Sequence, residues 1–238
     1  MGSDDLFKKK KRKAKATKDL ARKKSSKTAL TKILIVCEGK KTEPKYFMEL
    51  VEHLKITTAY VIDVTGECGS SPMSVVNHAR EIQKEQVDKG SAYDEIYIVI
   101  DKDAHADYMR ALDVIRRSKP SNIFNAINSI PCFEYWLLLH YTNSRKAYEN
   151  LPGNSSGNQI IKDLKVYIKD YNKGADGVFY EAFSSLKSGD LQEVIKKSEA
   201  CCLNADETGC DNPSTKVHIL VKRLLELQAH IQLNKKSK

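Results

Sequence analysis

No run of apolar residues in this chain approaches the roughly 18–20 that a membrane-spanning helix needs, and its start carries no apolar core of a secretory signal. The expectation is a cytoplasmic protein with no membrane partner. Six cysteines are present, at 37, 68, 132, 201, 202 and 210, but none forms a CxxC pair or the His/Cys spacing that closes around zinc. Cys37, Cys132 and Cys201 fall in or beside apolar runs and read as buried reduced thiols. A GxxxxGK[ST] phosphate loop is missing, and no unit of roughly 20 to 50 residues repeats, which argues against a solenoid.

Acidic residues are scarce at the start. Residues 1–32 hold 13 Lys or Arg against 3 Asp or Glu, leaving 27 against 28 for residues 33–238, so nearly all of the +9 formal charge belongs to the first segment. KKKKRKAKATKDLARKKSSK has too few apolar residues to offset its ordering entropy, so residues 1–31 read as a disordered basic tail. Lys8, Lys9, Lys10, Lys11, Arg12 and Lys13 suit a sequence-blind arm that displaces counterions from phosphates. A solubility tail or a nuclear-localisation signal would show the same pattern.

From Lys32 onward short apolar runs alternate with longer amphipathic segments, the pattern of βαβ units and a parallel sheet. KILIVC (32–37), AYVIDVT (59–65), DEIYIVID (94–101) and IFNAINS (123–129) read as strands. Helices are expected after Pro44, from Met73 to Val87 with Ser71 as cap, over 105–118 and over 131–141. Beyond about residue 145 only helical periodicity remains, which gives an α/β core at 32–145 and a helical C-terminal part at 146–238 packing on it.

Two acidic motifs end strands. IVCEGKKTEPKYF (35–47) places Glu38 after the first strand, with Gly39 allowing close approach of a phosphate, Lys40 and Lys41 supplying charge, and Glu43 reading as a helix-start carboxylate. YIVIDKDAH (97–105) places Asp101 and Asp103 on one side of an extended segment, where their repulsion calls for a bridging cation. Oxygen ligands of this kind suit Mg²⁺, with Mn²⁺ as a substitute. His105 reads as a further ligand, a proton shuttle or a solvent-facing residue. Glu134 is a carboxylate in an apolar helix, either supporting the site or capturing a helix end. His140 lies on another face. In CDNPSTKVHILVKRLL (210–225), Ser214 or Thr215 reads as a helix cap, with Lys216 and His218 in the first turn as candidate phosphate contacts.

In order, ILIVCEGKKTEPKYF, VIDKDAH, IPCFEYWLLLH and NPSTKVHILVKRL resemble the signature blocks of the RloB-like family of the Toprim superfamily, over residues 33–225. The resemblance implies a Toprim-like α/β parallel sheet flanked by helices. It also implies a glutamate acting in acid/base chemistry or metal binding and an aspartate pair holding Mg²⁺, matching Glu38, Asp101 and Asp103. Its implied setting is bacterial anti-phage defence. The resulting expectation is a Mg²⁺-dependent hydrolase of nucleic-acid phosphodiesters, RNA before DNA and tRNA among the RNAs, with Lys40 or Lys41 stabilising the phosphate and a separate sensor or ATPase as activator. A nucleic-acid-binding module without catalysis, and a nucleotidyl-transfer or second-messenger-cleaving enzyme, are the alternatives.

Overall fold

β1 (Lys32–Cys37) is the most deeply buried strand, because after Lys32 its apolar run Ile33–Cys37 is covered on both faces. The computed structural model describes residues 30–69, 71–102 and 105–236; residues 1–29 of the basic tail and Asp103 lie outside them. After β1 come α1 (Thr42–Leu54), a short 3₁₀ turn (Ile56–Thr58), β2 (Val61–Thr65), α2 (Pro72–Asp88), β3 (Glu95–Asp101), α3 (Tyr108–Arg117) and β4 (Phe124–Ile130). Then follow α4 (Glu134–Leu139), α5 (Ser156–Leu164), α6 (Val178–Ser184), α7 (Gln192–Thr208), β5 (Ser214–Thr215) and α8 (Val217–Lys236).

The five strands lie in the order β2-β1-β3-β4-β5. β1 through β4 are parallel, with Cys37 opposite Val99 and Asp101 opposite Ser129. This α/β fold therefore has a mostly parallel sheet flanked by helices, as expected. Strand alternation divides the core in two. Ile33, Ile35, Cys37, Tyr97 and Val99 face α1 and the C-terminal helices, whereas Leu34, Val36, Ile96, Ile98 and Ile100 face α2 and α3. The first face is floored by aromatic rings: Tyr46 meets Phe47, Phe133, Phe179 and Trp136 edge-on at centroid distances of 5.4, 5.5, 5.5 and 6.5 Å.

Ser71 caps α2 as expected, accepting from the Ser74 N–H at 3.3 Å, and Pro72 opens the helix. Thr215 caps the start of α8 as expected, its Oγ1 accepting from the Val217 N–H at 3.3 Å, but Ser214 and Thr215 also form β5, a strand the sequence did not show, pairing antiparallel with Ile130 and Ser129. The Ser129 and Thr215 hydroxyls bond at 2.9 Å, so the same buried hydroxyl joins β4 to the start of α8. Among the described residues no helix is long and apolar enough to cross a membrane.

Candidate active site

In a sheet of this order the chain leaves β1 in one direction and β3 in the other, so the loops after these neighbouring strands diverge and open a crevice. Glu38 and Asp101 stand at that crevice. The Glu38 N–H continues the ladder to Val99 O at 3.0 Å, and the Asp101 N–H donates to Glu38 Oε2 at 3.0 Å. His105 Nε2 lies 3.3 Å from Glu38 Oε1. Asp101 follows Tyr97 and Val99 in strand alternation and so turns toward α1 and α4.

Those helices bring further carboxylates. Glu43 in the first turn of α1 is 8% exposed, and Glu134 in the first turn of α4 is 2% exposed. A Cβ at Gly39 would overlap the Glu43 carboxylate, so the room left by this glycine is taken by Glu43 and not by a phosphate backbone. Glu134 Oε1 is held by Lys173 Nζ at 2.9 Å and accepts from the Tyr171 hydroxyl at 3.4 Å. Together Glu38–Glu43, Asp101, His105, Glu134 and Lys173 line a cavity of about 360 Å³.

Lys173 comes from the segment between α5 and α6, which is tied over the start of α1. Thr42 Oγ1 accepts from the Gly174 N–H at 3.0 Å, Lys45 pairs with Asp176 at 2.6 Å, and Glu49 accepts from Gly177 and Phe179 at 2.6 and 2.8 Å. Burial works to lower the Lys173 pKa, but the charge and hydrogen bond of Glu134 outweigh it and hold the ammonium protonated.

The carboxylates exceed their counter-charges. Burial, then the charges of Glu43, Glu134 and Glu38, push Asp101 well above the usual carboxylate range, against the Phe133 N–H that favours its ionised form. Burial and the charge of Glu134 raise Glu43 to about 7. Asp101 Oδ1 is sealed from solvent and has no hydrogen-bond partner among the described residues. Unmatched oxygen ligands of this kind fit a hard divalent cation, which lifts the repulsion and satisfies the orphaned atom. Among the described residues no three His, Cys, Asp or Glu side chains are grouped to hold a metal by themselves. One or two carboxylates are what Mg²⁺ takes from a protein, the rest of its shell being water and phosphate oxygens, so the residues present are compatible with that ion.

The family model for RloB-like protein matches residues 33–224. The chain belongs to the RloB-like family. No curated protein and no solved structure matches it. All four sequence blocks lie within the matched span, but the RloB-like fold does not bring all their polar residues to one place. His218 is buried against α7, its Nδ1 2.7 Å from Ser198 Oγ and 3.2 Å from Thr215 O, and burial lowers its pKa. Lys216 is exposed beyond β5, its N–H bonded to Asn128 O. Neither lines the cavity, because β5 displaces the start of α8 from the crevice. His140 is a core residue, its Nδ1 at 3.1 Å from Trp136 O and its pKa lowered to about 4 by burial. A larger hollow of about 680 Å³ lies between α2 and Lys119–Phe124, at the amino end of the sheet, and holds no such carboxylate cluster. Size alone does not make it the candidate site.

Proposed function

We propose that this RloB-like protein is a Toprim-type, Mg²⁺-dependent nuclease that hydrolyses RNA phosphodiesters, tRNA included, in bacterial anti-phage defence. The observation that carries the reading is the excess of buried carboxylate at the β1/β3 crevice, with Asp101 Oδ1 left without a partner. Glu38 and Asp101, joined by Asp103 from outside the described residues, would hold the ion; Mn²⁺ would substitute. When bound, the ion supplies Lewis-acid polarisation of the phosphate and an attacking water of lowered pKa.

The chain's own groups do the rest. The alternative role for Glu38 is to move a proton in place of holding the ion, with His105 Nε2 3.3 Å away as its partner. Lys40, Lys41 and Lys173 ring the cavity and offset charge developing on the phosphate. The cytoplasmic setting, the phosphate-binding tail and a separate sensor or ATPase belong to the same proposal. The test is incubation of the purified protein with total RNA and plasmid DNA in Mg²⁺, Mn²⁺ or EDTA. Metal-dependent RNA cleavage is expected. Binding without cleavage in any metal would favour a binding module, and cutting confined to DNA or to nucleotide second messengers would replace the substrate.

A further inference from the structure

A second cavity flanks the same strand end. Lys102 follows Asp101 directly, and alternation turns its side chain the other way, to Asp211 at 2.7 and 2.9 Å. Beside it Ile130, Pro131 and Tyr148 wall a cavity of about 240 Å³ that also reaches Asn150 and Ser156 at the amino end of α5. This is below the roughly 300–1,000 Å³ of sites for whole drug-sized ligands and suits a single ring system.

Ser156 is the informative residue. It is 2% exposed, and its Oγ has no hydrogen-bond partner among the described residues. A buried hydroxyl left unpaired is destabilising, so its persistence at a cavity wall marks a place where a ligand completes the bonding. The surroundings are set to receive one. Asn150 Oδ1 accepts from the Ser156 N–H at 2.9 Å, leaving the Asn150 amide protons to donate elsewhere. Asn212 fixes the far wall by accepting from the Tyr148 N–H at 3.3 Å and donating to Tyr148 O at 2.7 Å.

The charges decide the ligand class. Lys102 is already answered by Asp211, and Glu149 also lines the cavity, so no net positive charge remains to hold a phosphate. Apolar walls with neutral donors and acceptors at one end match a flat heterocycle with polar edges. We propose that this cavity takes up one unstacked nucleobase of a single-stranded RNA, next to the phosphodiester held at Asp101. The inference rests on the nuclease reading for that phosphodiester and extends it to substrate choice: the strand would cross the end of β3, and Ser156 and Asn150 would read a base edge.

The test is equilibrium binding of a short fluorescein-labelled single-stranded RNA in EDTA, with an abasic nucleotide placed at each position in turn. One abasic position should weaken binding to the wild-type protein by about tenfold, as loss of a seated base does. Ser156→Ala should weaken binding of the intact RNA by about threefold and reduce the penalty at that position by the same factor. Its Tm should equal or exceed that of the parent, because no hydrogen bond within the folded chain is lost; Asn150→Ala provides a second, exposed variant. Absence of RNA binding, a flat abasic profile, or an unchanged profile in both variants would overturn the pocket. Cleavage measured alongside in Mg²⁺ separates the two ideas. Cutting with a flat profile removes the pocket alone, whereas position-selective binding without cutting removes the nuclease reading alone.

Discussion

β3 carries a carboxylate at each end, and the two are treated in opposite ways. At its amino end Glu95 receives Arg223 Nη2 at 2.6 Å and Nε at 3.0 Å, together with the Tyr97 hydroxyl at 2.7 Å. Burial would raise the Glu95 pKa, but these hydrogen bonds prevail and hold it below the usual range. At the carboxyl end Asp101 faces three further carboxylates and is raised. One strand thus shows both a completed ion pair and an incomplete one. Arginine answers the carboxylate at one end and no cation among the described residues pairs with it at the other, a contrast that supports the proposed site because perturbed groups cluster at functional sites.

The largest expected effect lies at the incomplete end. Asp101→Asn and Glu38→Gln should each lower turnover on RNA by about a hundredfold or more, as should Asp103→Asn, while metal-free melting stays equal to the parent or rises as repulsion is relieved. Near-wild-type turnover in all three would dissolve the contrast. At the completed end, Arg223→Met should cost about 2 kcal/mol of stability, read by urea unfolding, because Glu95 loses its charged hydrogen bonds. Activity per folded molecule should persist; a collapse of turnover with stability intact would place Arg223 in the site.

The two ends should also respond to pH with opposite signs. Glu43 has an ordinary pKa of 4.5 and a folded value of about 7, so the folded chain binds its proton more tightly. Its contribution to stability is complete below the unfolded value and is lost as pH rises through the folded one, on the order of 1 kcal/mol per pH unit. Glu95, lowered by folding, contributes above its unfolded value and loses that contribution as pH falls through its folded one. Metal-free protein should therefore melt lower at about pH 7.5 than at about pH 5.5, and Glu43→Gln should flatten that slope. A slope unchanged in the variant would show that Glu43 is not the proton-binding group. The smallest effect is expected from removing residues 1–30: turnover at saturating RNA should hold, while the slope of log affinity against log salt becomes shallower by about 3 to 5.

Much of this contrast was legible in the sequence. A buried apolar strand followed by an acid marks Glu38, and the same pattern marks Asp101, because strand ends in parallel sheets are where side chains converge. Glu43 is the helix-start acid its position indicates, but its turn into the cavity carries no local signal, since it depends on the missing side chain at Gly39. Lys173 carries no sequence signal: it lies between helices and reaches the cavity through anchors on Thr42, Lys45 and Glu49. β5 has two residues, too few to show a period, and its pairing removed Lys216 and His218 from the site. Long-range pairing decided each of these, and local pattern does not encode it.

In the proposed function the carboxylates at the β1/β3 crevice are completed by a divalent cation. Calorimetric titration of the purified protein with Mg²⁺, repeated with Asp101→Asn, tests it most directly. Saturable binding by the parent, accompanied by a rise in Tm and lost in Asp101→Asn, is the predicted result. Equal binding by both proteins, or none by the parent, would contradict it.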